Sequence, residues 1–561
     1  MSLSIQFFKF DNLSIFVGVF IGLFFLLITL YSFGFMRQKK GLVYYYSYLI
    51  LTLISSLGVV FSNNLILFMV FWGFLGLLLY LLIGFGQTKN ASYTAKKAFI
   101  IIGGTDALML LGLAIVWRLT GSLQMDEISI TLNTKVAVLA YMCLAAGAFA
   151  KAGAMPFHTW VPDTAQDAPT PVTAFLPASL DKLLGIYFLA RISLNMFKMN
   201  TAINTVLMIV GSVTIVAAVM MALIQHDLKR LLGYHAVSQV GYMVLGIGTG
   251  NPIGIAGGLF HMLNHAIYKS CLFLSGGAVE KEAGTTDLEK LGGFGKIMPI
   301  TFITFLIASL SISGIPPFNG FASKWMVYQG IIKTAGNGSH LWIIWLIAAM
   351  FGSALTLASF MKLIHAVFLG QPVNKQPLSN KIFTKAEAMI NKRRETNPTM
   401  WIPQVFLAVL CVIFGVFAYR IPLKMFIFPS LGEKIEFFGI WNASLATILI
   451  IVGVAVGIIV YFLGTITKTR ETEAFVGGEI LEKQPNMRVS GTEFYNTIKD
   501  ITPLGTVYGL AEKKVFDIYH LGSIITLGFN KILSYLHNGI LLTYLAWCFL
   551  GMIILFFILL R

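Results

Sequence analysis

Charge is scarce in this sequence. Only 11% of its 561 residues are Asp, Glu, Lys or Arg, against about 25% in an ordinary soluble domain. With 57% hydrophobic residues and a mean hydropathy of +0.81, that scarcity excludes a soluble chain. No polar linker interrupts the sequence before residue 371, whereas a soluble chain of this length would divide into several domains. Cysteine is scarce too. Cys143, Cys271, Cys411 and Cys548 stand singly, with no CxxC pair, which excludes a disulfide framework and an iron–sulfur ligand set. Small buried hydrophobes are expected instead. Neither a GxxxxGKS/T phosphate loop nor a dinucleotide fingerprint is present, so no cofactor is expected and ATP or NADH chemistry of its own is excluded. The start, MSLSIQFFKFDN, lacks a basic n-region and a small-residue cleavage site, and no cleaved signal peptide is expected.

What is present is a succession of apolar runs. A spanning helix needs about 20 largely apolar residues. By that measure helices are expected near 13–34, 43–61, 65–86, 98–118, 136–155, 171–193, 202–224, 231–249, 254–279, 299–332, 341–369, 402–420, 438–464 and 540–561. The expected fold is all-α and polytopic, with about 14 transmembrane helices. Two of these runs carry breaks: one passes into Lys151-Ala-Gly-Ala-Met-Pro156, the other contains Gly314-Ile-Pro316-Pro317. Proline removes a backbone donor, and the polar groups so freed must face protein or water rather than lipid. The stretch 465–539 is more polar; Lys513, Lys514, Asp517, His520 and Lys531 interrupt 508–536 too often for a spanning helix. An amphipathic lateral helix fits better, with a cytoplasmic loop as the alternative.

The net charge of +16 is not gathered into one arm, and no nucleic-acid partner is expected. Arg37, Lys39 and Lys40, then Lys89, Lys96 and Lys97, then Lys229 and Arg230, and finally Lys381, Lys385, Lys392, Arg393 and Arg394 fall on the same side of the bundle. The opposite segment 119–134 carries Asp126 and Glu127. The positive-inside rule makes the basic side cytoplasmic and both termini external.

Ionisable groups inside a bilayer cost at least a few kcal/mol and mark ion or proton routes. His261, His265 and Lys269 are spaced i, i+4, i+8 and stack along one helix face. Histidine titrates near neutrality, so such a row passes protons by side chain and water; two structural histidines with a snorkelling lysine is the plainer reading. Lys151 and Lys324 each lie beside a helix break, while Asp106, Asp181 and Lys182 sit within apolar runs. An acid and a base on different helices form a pair that modulates the lysine, or a purely structural ion pair. Asp181 and Lys182 point about 100° apart and cannot share a face. Lys362 and His365 lie near a helix end, where snorkelling is expected. The two broken helices, each with its lysine, suggest two inverted five-helix repeats. Their expected extents are 62–195 and 196–370, after N-terminal helices over 1–61. A loop with additional spans over 371–464, the segment 465–539 and a last helix over 540–561 complete the chain. His261 and His265 have zinc-like spacing, but without an HExxH glutamate or a third ligand no metal site is expected.

Four segments, KAGAMPFHTWVPDTAQDAPTPVTAFLPASLDKLLGIYFLARI, HDLKRLLGYHAVSQVGYMVLGIG, FHMLNHAIYKSCLFLSGG and GIPPFNGFASKW, closely resemble the antiporter-like subunits of respiratory complex I. The same superfamily includes subunits of Mrp cation/proton antiporters and of membrane-bound energy-converting hydrogenases. The resemblance covers roughly residues 8–370, and the long segment before the last helix resembles the distal complex I subunit with its lateral helix. It implies that Lys151 is the lysine of the first broken helix, that His261, His265 and Lys269 form the central relay, and that Lys324 is the lysine of the second broken helix. Asp106 matches a family aspartate, and Asp227 with Lys229 matches a loop between two central helices. Half-channels joined by a polar axis are implied, driven by redox chemistry elsewhere.

There are departures. FWGFLGLLLYLLIGF resembles a helix whose glutamate is here Gly73, so Asp106 or Asp181 is expected to partner Lys151. The relay histidine of the sixth helix falls on Pro177, and Trp325 stands where the distal subunit has an acid. The chain also begins where the third family helix would. These differences favour a hydrogenase-type or related complex over an ordinary distal subunit. The expectation is therefore a proton- or sodium-translocating, non-redox subunit in a bacterial or archaeal inner membrane. Its expected partners are other membrane subunits, a peripheral redox arm and lipid. An Mrp-type antiporter subunit is the alternative, and a membrane subunit of inorganic-carbon uptake a further one.

Overall fold

In the computed structural model, residues 7–337, 340–370, 395–432, 443–463 and 504–560 are described, with single positions at 435, 437, 495, 498, 501 and 502. Lys381, Lys385, Lys392, Arg393 and Arg394, and most of 465–503, lie outside the described residues. The chain forms two compact units, Met1–Asp500 and Ile501–Arg561.

Every apolar run read from the sequence coincides with a helix or a broken pair. In the first unit these are α1 Asn12–Phe35, α2 Leu42–Phe61, α3 Leu65–Ile83, α4 Ala91–Thr120 and α5 Lys135–Ala152, continued beyond a break by α6 Trp160–Asp167. Next come α7 Thr170–Met196, α8 Thr201–Leu223, α9 Leu228–Gly248, α10 Pro252–Ala283 and the broken pair α11 Pro299–Ser313 and α12 Asn319–Lys333. The unit continues with α13 Trp342–Leu369, α14 Pro398–Val416 and α15 Ala443–Leu463. Starts are set by side chains that accept from the first free backbone N–H groups: Asp11, Asn64, Thr134, Asn200, Asp227 and Asn251. Among the described residues, ten helices are long and apolar enough to cross a membrane. The protein is an all-α polytopic membrane protein.

The central helices are less apolar than the peripheral ones because glycines, histidines and lysines replace leucine along them. They are held inside the bundle: α10 is buried at every residue from Ile253 to Val279. Small residues let α8 and α9 approach closely. A Cβ on Gly241 would come within 2.5 Å of the Gly211 carbonyl oxygen, the close packing that helices use where lipid removes a hydrophobic drive.

Both breaks fall where the sequence places them. α5 ends on Gly153 at φ +80° and α11 on Gly314 at φ +81°, left-handed positions that a side chain would strain. The Met155–Pro156 and Pro316–Pro317 peptide bonds are cis. A third irregularity escaped the sequence: α7 opens into a wide π turn at Leu176–Leu180 around Pro177. The ring supplies no N–H there, and π turns gather at functional sites.

The second unit contains α16 Leu504–Glu512, α17 Ile518–Leu536 and α18 Leu541–Leu559. The expected amphipathic stretch 508–536 is divided by Lys514, which adopts φ +59°, and Asp517 caps α17. Three cysteines are buried as expected, whereas Cys548 on α18 is exposed. That helix is apolar on every side, a surface suited to lipid.

Candidate ion pathway

Lys151 is fully buried in the last turn of α5. Its Nζ stands 4.9 Å from the centroid of the Trp72 ring and 3.5 Å from the Trp72 carbonyl oxygen. The indole Nε1 of Trp72 donates to Asp106 Oδ1 at 2.9 Å, so one tryptophan touches both the base and an acid. Asp181 and Asp106 both lie within electrostatic reach of Lys151. The two acids named as replacements for the glutamate missing at Gly73 thus converge on the lysine.

The π turn directly precedes Asp181 and Lys182. Asp181 lies within electrostatic reach of both Lys151 and Lys182. Lys182 Nζ lies 5.5 Å from the Trp160 ring, and a Cβ on Gly153 would stand 3.2 Å from it, which places the ammonium against the first break. Lys182 is also within electrostatic reach of Lys269 and His265. It therefore connects the first half of the row to the second.

On α10, Lys269 Nζ lies 5.6 Å from the Phe360 ring and 5.9 Å from the Phe273 ring. His261 Nδ1 bonds Ser323 Oγ at 2.9 Å, and its Nε2 reaches Gln239 Oε1 at 3.1 Å and Tyr268 Oη at 3.3 Å. Lys324 donates to the Ile312 carbonyl at 2.8 Å, an oxygen freed by the second break, and lies 4.8 Å from the Tyr242 ring. Lys182 Nζ, Lys269 Nζ, Asp181 Oδ2 and both ring nitrogens of His265 are buried with no hydrogen-bond partner among the described residues. Buried polar atoms are nearly always bonded.

Sequence reasoning missed Trp72, His235, Gln239, Tyr242 and Tyr268. His235 Nε2 bonds Ser359 Oγ at 2.7 Å, and the ring lies within electrostatic reach of both Lys269 and Lys324. The signal was available: His235, Gln239 and Tyr242 follow at i, i+4 and i+7 along α9 and share one face. Lys362 also differs from expectation. It does not snorkel but is buried, donating to the Leu223 and Gln225 carbonyls at 2.8 and 3.0 Å, where it satisfies the free carbonyls at the end of α8.

Asp227 and Lys229 stand apart from the row, at its basic end. Asp227 accepts from Arg230 N at 2.8 Å and from the Thr286 hydroxyl. Lys229 donates to Glu280 Oε1 at 3.1 Å and to the Ala168 carbonyl at 3.2 Å, tying α9 to α10 and to the segment before α7. Lys229→Ala leaves both acceptors short of a donor and is expected to lower stability by about 1–3 kcal/mol. Thermal unfolding of the purified protein in detergent measures this; an unchanged midpoint removes the tie from the argument.

Apolar helices that enclose an ordered series of ionisable side chains, with helix breaks beside two of them, define a polytopic membrane protein with a polar axis inside the bundle. Comparison gives the family. The model described as NADH:quinone oxidoreductase/Mrp antiporter, TM, matches residues 62–356, just over half of the 561. The chain belongs to this family. Among its relatives, the Na(+)/H(+) antiporter subunit A1 of Staphylococcus haemolyticus is 36% identical over 432 residues, covering 72% of this chain and 52% of that protein. The subunit of the same name from Staphylococcus epidermidis is 35% identical over 416 residues, covering 70% and 50%. The chain thus spans about half the length of these relatives. Two solved structures share the fold. A chain of the membrane-bound sulfane sulfur reductase, an archaeal respiratory membrane complex, aligns with TM-score 0.77 at 24% identity over 98% of this chain and 89% of that one. A chain of the Mrp complex from Dietzia sp. aligns with TM-score 0.67 at 22% identity over 76% and 83%.

Proposed function

We propose that this chain is a proton- or sodium-translocating, non-redox subunit of a complex I-like or hydrogenase-like membrane oxidoreductase. The observation that carries the reading is the continuity of the row: half-buried Asp106, then the buried Lys151, Asp181, Lys182, Lys269 with His265, and finally His261 and Lys324. Each station is within electrostatic reach of another. A charge shift at one station changes the cost of charge at the next, because low dielectric makes such couplings strong. Movement at one end is thereby transmitted to the other. Lys151 and Lys324, each beside a break, are the stations that exchange with the two membrane faces, and the two halves form the inverted repeats. Asp227 and Lys229 couple the basic-side loop to α10.

In this reading the chain lies in a bacterial or archaeal inner membrane with both termini outside, joined to other membrane subunits and a peripheral redox arm. A second reading, an Mrp-type cation/proton antiporter subunit, is favoured by the names of the 36% and 35% identical relatives. Purification of the intact complex followed by reconstitution into vesicles tests both. Proton or sodium flux driven by metal- or flavin-bearing partners supports the first reading. Flux exchanged between two cation gradients, with small hydrophobic partners only, supports the second. Absence of either flux from an active, intact complex refutes translocation.

A further inference from the structure

Acidic residues are missing from a long part of this chain. Between Asp11 and Asp106 there is no Asp or Glu, while Arg37, Lys39, Lys40, Lys89, Lys96 and Lys97 fall within that stretch. These cations gather at one end of α1–α4. Arg37, Lys39 and Lys40 occupy the turn from α1 to α2, Lys89 the turn from α3 to α4, and Lys96 and Lys97 the second turn of α4. The two turns pack together. Lys39 donates to Gln87 Oε1, and a Cβ on Gly41 would stand 3.3 Å from the Phe85 ring. That ring lies 5.7 Å from the Tyr45 ring and 6.1 Å from that of Tyr48. Lys97 is buried and donates to Asp163 at 2.9 Å. Its neighbour Lys96, with Arg37, Lys40 and Lys89, is exposed and forms no ion pair among the described residues. Elsewhere the basic face neutralises its cations: Lys229 meets Glu280 at 3.1 Å, Arg230 meets Asp163 at 3.7 Å, and Lys290 meets Asp287 at 2.9 Å. The positive-inside rule accounts for the side on which such charge sits, but not for its lack of counter-charge at this edge.

The depth of these groups follows from helix length. α4 has 30 residues and is about 45 Å long, where a hydrocarbon core is about 30 Å thick. Centred on that core, α4 projects about 7 Å at each end, so its first turns stand at headgroup level. Lys96 shares a face with Tyr93, Phe99 and Ile100, all three exposed. Its ammonium therefore stands where an apolar stripe meets the polar layer, reaching outward over its own alkyl stem. On α2, Val43, Ser47, Ile50 and Ile54 form a second exposed stripe, and Tyr44 beside it is 64% exposed. Tyrosine settles at the membrane–water boundary. α3 packs against both α2 and α4, and its exposed Phe74 and Leu77 carry the apolar surface from one stripe to the other.

We propose that the basic end of α1–α4 is a binding site for an anionic phospholipid of the adjoining leaflet, its phosphate held by Lys40, Lys89 and Lys96 and its acyl chains laid along α2, α3 and α4. A phospholipid supplies both things this edge lacks: negative charge at headgroup level, and apolar cover directly beneath it. A free anion supplies only the first. Lysine suits the task, since an ammonium meets phosphate as a point charge from any direction. Each lysine near an anionic membrane surface strengthens attachment about fivefold, so several at one edge discriminate between charged and zwitterionic headgroups. The inference does not depend on what the buried row transports.

The test uses the full chain in vesicles of phosphatidylcholine with a minor share of phosphatidylglycerol. Both lipids carry the same photoreactive acyl group, and labelling is read peptide by peptide. Phosphatidylglycerol is expected to label α2, α3 and α4 in preference to phosphatidylcholine. Lys89→Gln and Lys96→Gln are each expected to lower that preference about fivefold, while Lys96→Arg keeps it. Lys296→Gln, which removes an exposed cation just before α11, is expected to leave it unchanged. An unchanged preference in either of the first two variants overturns the site. So does an equal loss in Lys296→Gln, which would reveal a diffuse surface potential. Loss of labelling on adding inorganic phosphate, with ionic strength matched by chloride, assigns the edge to a free anion and overturns the lipid. In the intact complex, carbodiimide coupling of Lys96 to a carboxylate of another subunit places protein there instead, with the same consequence.

Discussion

Lys269→Ala is expected to reduce coupled cation movement by about a hundredfold or more, the contribution of a positioned proton-transfer group, while partner chemistry continues in part. Lys269 is fully buried, its Nζ lacks a hydrogen-bond partner among the described residues, and it is within electrostatic reach of Lys182. His265 and His235 both lie within its electrostatic reach. Lys269→Met separates charge from shape, because it fills nearly the same volume without an ammonium; the same loss is expected. Lys269→Arg separates proton exchange from fixed charge. A guanidinium stays protonated throughout the accessible pH range, so arginine is also expected to fail. Full activity in the arginine variant would show that Lys269 supplies only a static potential, and full activity in the alanine variant would remove it from the route. Initial rates in vesicles, normalised to the amount of assembled complex, give all three answers.

Much of this arrangement was legible in the sequence, for reasons that differ from residue to residue. Hydropathy located the spanning helices because a bilayer forces backbone satisfaction within each segment. Gly153, Pro156, Gly314 and Pro316 located the breaks because backbone chemistry is local. His261, His265 and Lys269 were legible because charge inside an apolar run is costly and their spacing is helical. The bridge by Trp72 was not legible. Tryptophan in a spanning helix is common, and only the meeting of α3, α4 and α5 gives its ring and its indole N–H two partners. The place of Lys182 against the first break was not legible for a similar reason, since Trp160 and Gly153, its neighbours there, come from other segments. The hydrogen-bonded cluster of Thr304, Ser275 and Gln404 was invisible because serine and threonine are ordinary in such helices taken one at a time. It exists only where three stripes converge.

The replacement for the glutamate missing at position 73 yields the second large effect. α3 and α4 are adjacent antiparallel helices, and a Cβ on Gly76 would meet Ile102 at 3.6 Å. One turn away along both helices, Gly73 comes level with Asp106. A Cβ at Gly73 meets nothing within 4 Å, so the backbone accepts a longer side chain there, and in the translocation reading Asp106 takes the place of that carboxylate from α4. Asp106→Asn keeps the size and an acceptor for the Trp72 N–H but removes the negative charge beside Lys151. Translocation is expected to fall about tenfold, the equivalent of roughly 1.4 kcal/mol of coupling. Gly73→Glu in the Asp106→Asn background is expected to recover most of that loss. Alone, Gly73→Glu places two carboxylates side by side and should lower the rate, because like charges at one site disfavour each other's ionised form. The pattern of a harmful single change that becomes beneficial beside the other is one that general damage to packing does not produce. If Gly73→Glu leaves the Asp106→Asn loss uncorrected, Asp106 is not the stand-in, and Asp181 alone partners Lys151.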